Sequence, residues 1–107
     1  MFGTMYKMHL KPGQEAKMKE LEEAWNREMQ PLAKGYISSY VIQSKTRPDE
    51  YLGMVIFDTE ENYYKNAQSP EQDKWYRRMR DCLESDPEWN DGTLISETHA
   101  PSRVKVS

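Results

Sequence analysis

Two asparagines four residues apart, Asn62 and Asn66, share this chain with three tryptophans and seven tyrosines. Amides on an otherwise apolar face need hydrogen-bond partners. Aromatic rings with a few phenolic and amide groups among them are the usual lining of a small-molecule site. Taken singly, each ring is core or interface material, and each asparagine serves as a cap or faces solvent. Taken together, with seven methionines as adaptable packing, they describe an apolar cavity between a sheet and the helical segment 62–79. Tyr6, Tyr40, Asn66 and Trp75 are its expected lining.

Other chemistries find less support. Glu22-Glu23, Glu60-Glu61 and Asp58 occupy helix surfaces or starts, where acids are solvated or favour the helix dipole. His9 lies on a strand and His99 beyond the last strand, on strands taken as non-adjacent, and no HxH or HxxxH spacing exists. No metal site is therefore expected. A lone histidine such as His9 facing a pocket can still move a proton near neutral pH. Cys82 falls late in a helix, where the dipole opposes a thiolate. The basic run Lys74, Arg77, Arg78, Arg80 is interleaved with acids at i,i+4 spacing, as on a solvated helix face. The glycines show no nucleotide-binding pattern. Nucleic acid is not an expected partner, since the net charge is -3 and the pI about 5.4.

The 107 residues form one domain by length, expected over 1–100 with a short polar tail over 101–107. Hydrophobic residues are 36% and mean hydropathy is -1.01, so the chain has little apolar material with which to close a core alone. No stretch reaches the roughly 20 apolar residues a membrane span requires. The opening Met1-Phe2-Gly3-Thr4 does not read as a secretory signal, and one cysteine cannot form an intrachain disulfide. A cytoplasmic location is expected.

The elements that would hold the cavity follow from period and punctuation. Phe2 to Leu10 alternates as a strand and stops at Pro12-Gly13. Met18, Leu21, Trp25 and Met29 recur at helical steps, with Glu15, Lys19, Glu22 and Glu23 turned outward, until Pro31. Tyr36–Ser44 and Tyr51–Phe57 form a hairpin, the second strand apolar enough to be buried on both faces. Asp58-Thr59-Glu60-Glu61 starts a helix running to about Ala67. Ser69-Pro70-Glu71-Gln72 starts another, running to about Glu84, with Trp75 or Tyr76, Met79 and Leu83 inward. Asp86 to Gly92 is expected as a loop anchored by Trp89, and Thr93 to Thr98 as the last strand. The order strand, helix, strand, strand, helix, strand defines an α+β, ferredoxin-like split βαβ fold, a four-stranded antiparallel sheet with helices on one face. Tyr, Met and Ile occur on both strand faces, so the bare sheet face calls for a second copy: a homodimer.

These residues carry a resemblance. The opening Phe-Gly-Thr-Met-Tyr-Lys-Met-His-Leu-Lys-Pro-Gly, the hairpin, Ser-Pro-Glu-Gln-Asp-Lys-Trp-Tyr-Arg-Arg-Met-Arg and Asp-Pro-Glu-Trp-Asn-Asp-Gly resemble the antibiotic biosynthesis monooxygenase family of dimeric α+β barrels, over about Met1 to Ile95. The resemblance implies a cofactor-independent monooxygenase, an oxidoreductase needing no metal or flavin. It would act with O₂ on a small phenolic or quinol-type aromatic substrate held as its anion. It further implies Asn62 as the group holding the oxyanion, and Tyr76 or His9 as the proton relay. The family's polyketide oxygenases pair that asparagine with a tryptophan four residues later, where this chain has Asn66. Its haem degraders use an asparagine, that tryptophan and a histidine, where this chain has Tyr6, Asn66 and about Tyr76; haem degradation is not implied. The alternative is a non-catalytic dimer that binds a small molecule or supports another protein.

Overall fold

The computed structural model describes residues 1–101. Its elements are β1 (Phe2–His9), α1 (Glu15–Ala24), β2 (Tyr36–Gln43), β3 (Glu50–Phe57), α2 (Glu60–Ala67), α3 (Pro70–Arg80) and β4 (Glu88–Thr93). The four strands make one antiparallel sheet in the order β2-β3-β1-β4. This is the α+β, ferredoxin-like arrangement expected from the order of elements. The tail expected over 101–107 falls, apart from Pro101, outside the described residues. No helix of the described residues is long and apolar enough to cross a membrane.

Local chemistry explains the helix starts. Thr59 and Ser69, both with extended backbone, accept hydrogen bonds from the backbone N–H groups of Asn62 and Gln72 through their side-chain oxygens. These are N-caps that satisfy otherwise unpaired helix donors. Pro70 occupies the first turn, where its missing N–H costs nothing. The first helix does not continue regularly to Pro31. It gives way to a π-helical turn over Trp25–Met29 and a short 3-10 turn over Gln30–Leu32.

Four expectations need correction. α3 ends at Arg80 rather than near Glu84, because the chain beyond it is captured by the end of β1. Leu10 and Leu83 form a bridge, Lys11 N–H donates to the Cys82 carbonyl at 2.8 Å, and Glu84 N–H donates to the His9 carbonyl at 2.9 Å. Leu83 is buried by that bridge rather than by helical periodicity. The last strand is Glu88–Thr93, the segment expected as a loop, and not 93–98. Its Glu, Asn, Asp and Gly are poor strand formers, but the open edge of β1 dictates the pairing, Tyr6 opposite Trp89 and Thr4 opposite Asp91. That pairing also makes the first and last strands neighbours, not the non-adjacent strands expected for His9 and His99. β3, finally, is not buried on both faces: Tyr51, Gly53, Val55 and Phe57 face the helices, while Leu52 on the other face is 40% exposed.

Apart from Phe2 and Phe57, buried against Tyr63, the core gathers at one end of the layer between sheet and helices. Met8, Leu10, Met18, Leu21, Met79, Cys82 and Leu83 pack there, with Tyr6, Tyr51, Trp75 and Tyr76 against them. The opposite sheet face carries Met5, Tyr40, Ile42, Leu52, Met54 and Ile56, and of these Met5, Tyr40 and Ile42 are 63%, 58% and 66% exposed.

Candidate functional site

Beyond that core the layer opens into a cavity of about 650 Å³. Alternation along the strands sends Thr4, Tyr6 and Met8 of β1, Val55 of β3, and Trp89 and Asp91 of β4 to its floor. From above, α1 with its π turn contributes Met18, Glu22 and Trp25, and α2 and α3 contribute Tyr63, Tyr64, Asn66, Trp75 and Tyr76.

Several polar groups are committed to holding the walls. Trp25 Nε1–H donates to Gln72 Oε1 at 3.0 Å, and Trp75 Nε1–H donates to the Leu21 carbonyl at 3.0 Å. The two indoles meet edge-on at 6.5 Å, and Trp25 meets Tyr36 edge-on at 5.1 Å. On the other flank the Asp91 carboxylate accepts from the hydroxyls of Tyr63 at 3.1 Å and Tyr64 at 2.9 Å, tying α2 to β4. Burial, reinforced by the Asp91 charge, pushes the Tyr63 hydroxyl up to about 12. Neutral tyrosine is the form that donates to a carboxylate, so this clamp persists across the physiological range.

Other groups face the cavity uncommitted. Tyr6, Tyr76, Asn66 and Glu22 have no side-chain hydrogen-bond partner among the described residues. Burial, helped by the nearby Glu22 charge, pushes the Tyr6 hydroxyl up to about 12 as well. Glu22 itself is raised above the usual carboxylate range by burial. The rings of Tyr6 and Tyr76 flank Trp89 at 5.4 and 6.4 Å, forming an aromatic shelf.

Of the residues singled out from sequence, Tyr6, Asn66, Trp75 and Tyr76 come together in this cavity. Three do not line it. The Asn62 amide donates to Asp58 Oδ1 at 2.9 Å, outside the cavity, and that bond holds the Asp58 carboxyl below its ordinary value. Tyr40 pairs with Met54 and lies on the opposite sheet face, because its parity along β2 matches Ser38 and Ile42. His9 also has outward parity and sits beside acids, with Nδ1 3.6 Å from Asp49 and Nε2 3.9 Å from Glu50. Sequence reasoning missed Glu22, Trp89 and Asp91. Glu22 was legible: it lies four residues after Met18 and three before Trp25, so it shares their inward stripe. Among the described residues no group of three or more His, Cys, Asp or Glu side chains could hold a metal ion.

Gly53 sets the depth of the floor. A Cβ built there would fall within the Tyr6 ring, which lies directly over it. Gly53→Ala is expected to force that ring into the cavity at a cost of about 1–3 kcal/mol, as overpacking does. Urea denaturation reads the loss, and unchanged stability would show that Tyr6 swings aside freely.

Fold and site together define an α+β protein with an aromatic-lined cavity under three helices. The sequence profile of the family described as Antibiotic biosynthesis monooxygenase matches residues 1–78, and the chain belongs to that family. Solved structures share the fold at low identity. A conserved protein from Methanosarcina mazei is 18% identical with a TM-score of 0.75, covering 85% of this chain and 89% of its own. A protein of unknown function from Nitrosomonas europaea is 14% identical with a TM-score of 0.73, covering 94% and 95%. A cofactor-independent oxygenase from Streptomyces nogalater is 8% identical with a TM-score of 0.74, covering 90% and 94%. No protein with a curated description matches the sequence.

Proposed function

We propose that the protein is a cofactor-independent monooxygenase acting with O₂ on a small phenolic or quinol-type aromatic molecule bound in the 650 Å³ cavity. One observation carries the reading. The cavity is walled by aromatic rings whose own polar groups are largely occupied, and Tyr6, Tyr76, Asn66, Asn26 and Glu22 are among the polar points a ligand would meet. Such a site favours a flat, electron-rich molecule with one or two hydroxyls. The substrate's own anion supplies the electrons that reduce O₂, and the protein contributes exclusion of water and fixed hydrogen-bonding groups. Trp75 would stack on the ligand, and Tyr76 and Asn66 would hold its oxygens. The family and the Streptomyces nogalater oxygenase of the same fold support this chemistry.

The protein would work as a homodimer, its exposed sheet face covered by a second copy, in the cytoplasm, where its single free thiol, the buried Cys82, stays reduced. The non-catalytic alternative draws on Asn62. Its amide is bonded to Asp58 outside the cavity, away from the role of oxyanion holder that the resemblance implied.

Oxygen uptake over a panel of hydroquinones and polycyclic phenols tests the proposal. Consumption of one O₂ per substrate molecule, unaffected by chelators, is the expected result. Ligand-induced thermal stabilisation across the panel with no oxygen uptake would establish the binding module instead.

A further inference from the structure

The cavity lining among the described residues includes two carboxylates, Glu22 and Asp91, and no lysine, arginine or histidine. A phenolate formed in such a place gains no ion pair. Adding its negative charge to two existing ones in a partly desolvated site is costly. The anion becomes tolerable only if a carboxylate already present gives up its charge at the same moment. Asp91 is held in its charged form by the hydrogen bonds it accepts from Tyr63 and Tyr64, and does not readily give that charge up. Glu22 can give up its charge.

We propose that Glu22 is the general base of the cavity, taking the hydroxyl proton of a phenolic ligand that enters neutral. This rests on the reading of the cavity as a phenol or quinol site. In the step, the ligand O–H bond breaks, its electron pair stays on the ligand oxygen, and a new O–H bond forms on a Glu22 carboxylate oxygen. The total charge of the cavity is unchanged, and O₂ then oxidises the anion. The position of Glu22 supports the role. It stands on α1 above Tyr6 and lines not only this cavity but also a second hollow, shared with Glu15, Lys19, Gln43 and Tyr51. A proton accepted from the cavity side therefore has a way out to solvent past Lys19. Burial, which raises the Glu22 carboxyl, makes it a stronger base than an exposed glutamate.

The inference also assigns ligand charge. Neutral phenols should bind, and analogues carrying a sulfonate or carboxylate should be rejected by roughly tenfold or more, since like charges brought together suppress binding.

The test uses 2-naphthol, which becomes a strong acid when excited and emits in a separate band once its proton is lost. Bound to the wild-type protein, it is expected to emit mainly from the naphtholate. Bound to Glu22→Gln, it should emit mainly from the neutral form, while Glu23→Gln, altering an exposed neighbour, should leave the wild-type emission intact. An undiminished naphtholate band in Glu22→Gln would overturn Glu22 as the base and leave the cavity reading standing. Failure of 2-naphthol to bind the wild-type protein would overturn both. A sulfonated naphthol binding as tightly as 2-naphthol would overturn the charge argument. Unfolding of the variant is not expected to intervene. A carboxyl whose folded pKa is raised contributes stability below its unfolded pKa and loses it as pH rises through the folded one. Burial raises the Glu22 carboxyl, so an ionised Glu22 has given up that contribution while an uncharged glutamine keeps it. Glu22→Gln should therefore melt higher than wild type at pH 7, the difference vanishing in acid.

Discussion

Replacing Leu83 with alanine is expected to lower the unfolding free energy by about 2–5 kcal/mol, the range for removing a fully buried leucine and leaving a void. Leu83 is 0% exposed and sits among Met8, Leu10, Met18, Leu21 and Met79. The site cannot collapse easily, because the backbone on both sides is pinned by the Leu10–Leu83 bridge and its flanking hydrogen bonds. A domain of this size has only about 5–15 kcal/mol of stability in all, so the change removes a large fraction of it. The functional consequence reaches beyond stability. The same cluster clamps the end of α3 to β1, and α3 carries Trp75 and Tyr76 into the cavity. Urea denaturation should show a lower midpoint with an unchanged slope, and ligand binding should be lost at a lower temperature. Ile95→Ala, at a position 94% exposed, should change neither. A Leu83→Ala midpoint within error of wild type would mean that the Leu83 site is not a closed core.

The division of the layer into a solid end and a hollow end was only partly legible in the sequence. Capping residues and helical period located every helix, because Thr59, Ser69 and Pro70 act on their own backbone neighbours and depend on nothing distant. Two of the failures lie where a distant segment decided the outcome. Glu88–Thr93 is made of turn-forming residues and became a strand because β1 had an unpaired edge. Leu83 was correctly placed inside, but a bridge to Leu10 put it there and cut the helix short. The site shows the same division. Tyr6, Asn66, Trp75 and Tyr76 reach the cavity because strand and helix periods place them. Tyr40 does not, although β2 was correctly identified, because its register against β3 sets which parity faces inward. Glu22 carries a charge, the usual mark of an outward face, but its spacing from Met18 and Trp25 marks it as inward.

Met5→Glu is expected to convert a dimer into a monomer. Met5 lies on the central strand β1, opposite Met54 of β3 and Asn90 of β4, on the face without helices. In the single chain it is 63% exposed, so a glutamate there remains hydrated and costs the fold little. Beneath a second sheet the same carboxylate would be desolvated among Tyr40, Ile42, Leu52 and Met54, and the neighbouring cation on that face, Lys7, already has Glu50 as its partner at 3.9 Å. A buried unpaired charge costs several kcal/mol per ion, and the symmetry of a homodimer applies that cost twice. Association should therefore weaken by at least about a hundredfold, each 1.4 kcal/mol being a factor of ten. Light scattering at micromolar concentration should give twice the chain mass for wild type and the chain mass for Met5→Glu, with unaltered far-UV circular dichroism. A wild-type monomer would mean that the apolar sheet face is left to water or to another protein. A Met5→Glu dimer would mean that the copies meet elsewhere. If the monomeric variant keeps its ligand, the cavity is complete within one chain, as expected from a lining drawn entirely from the helix-covered face.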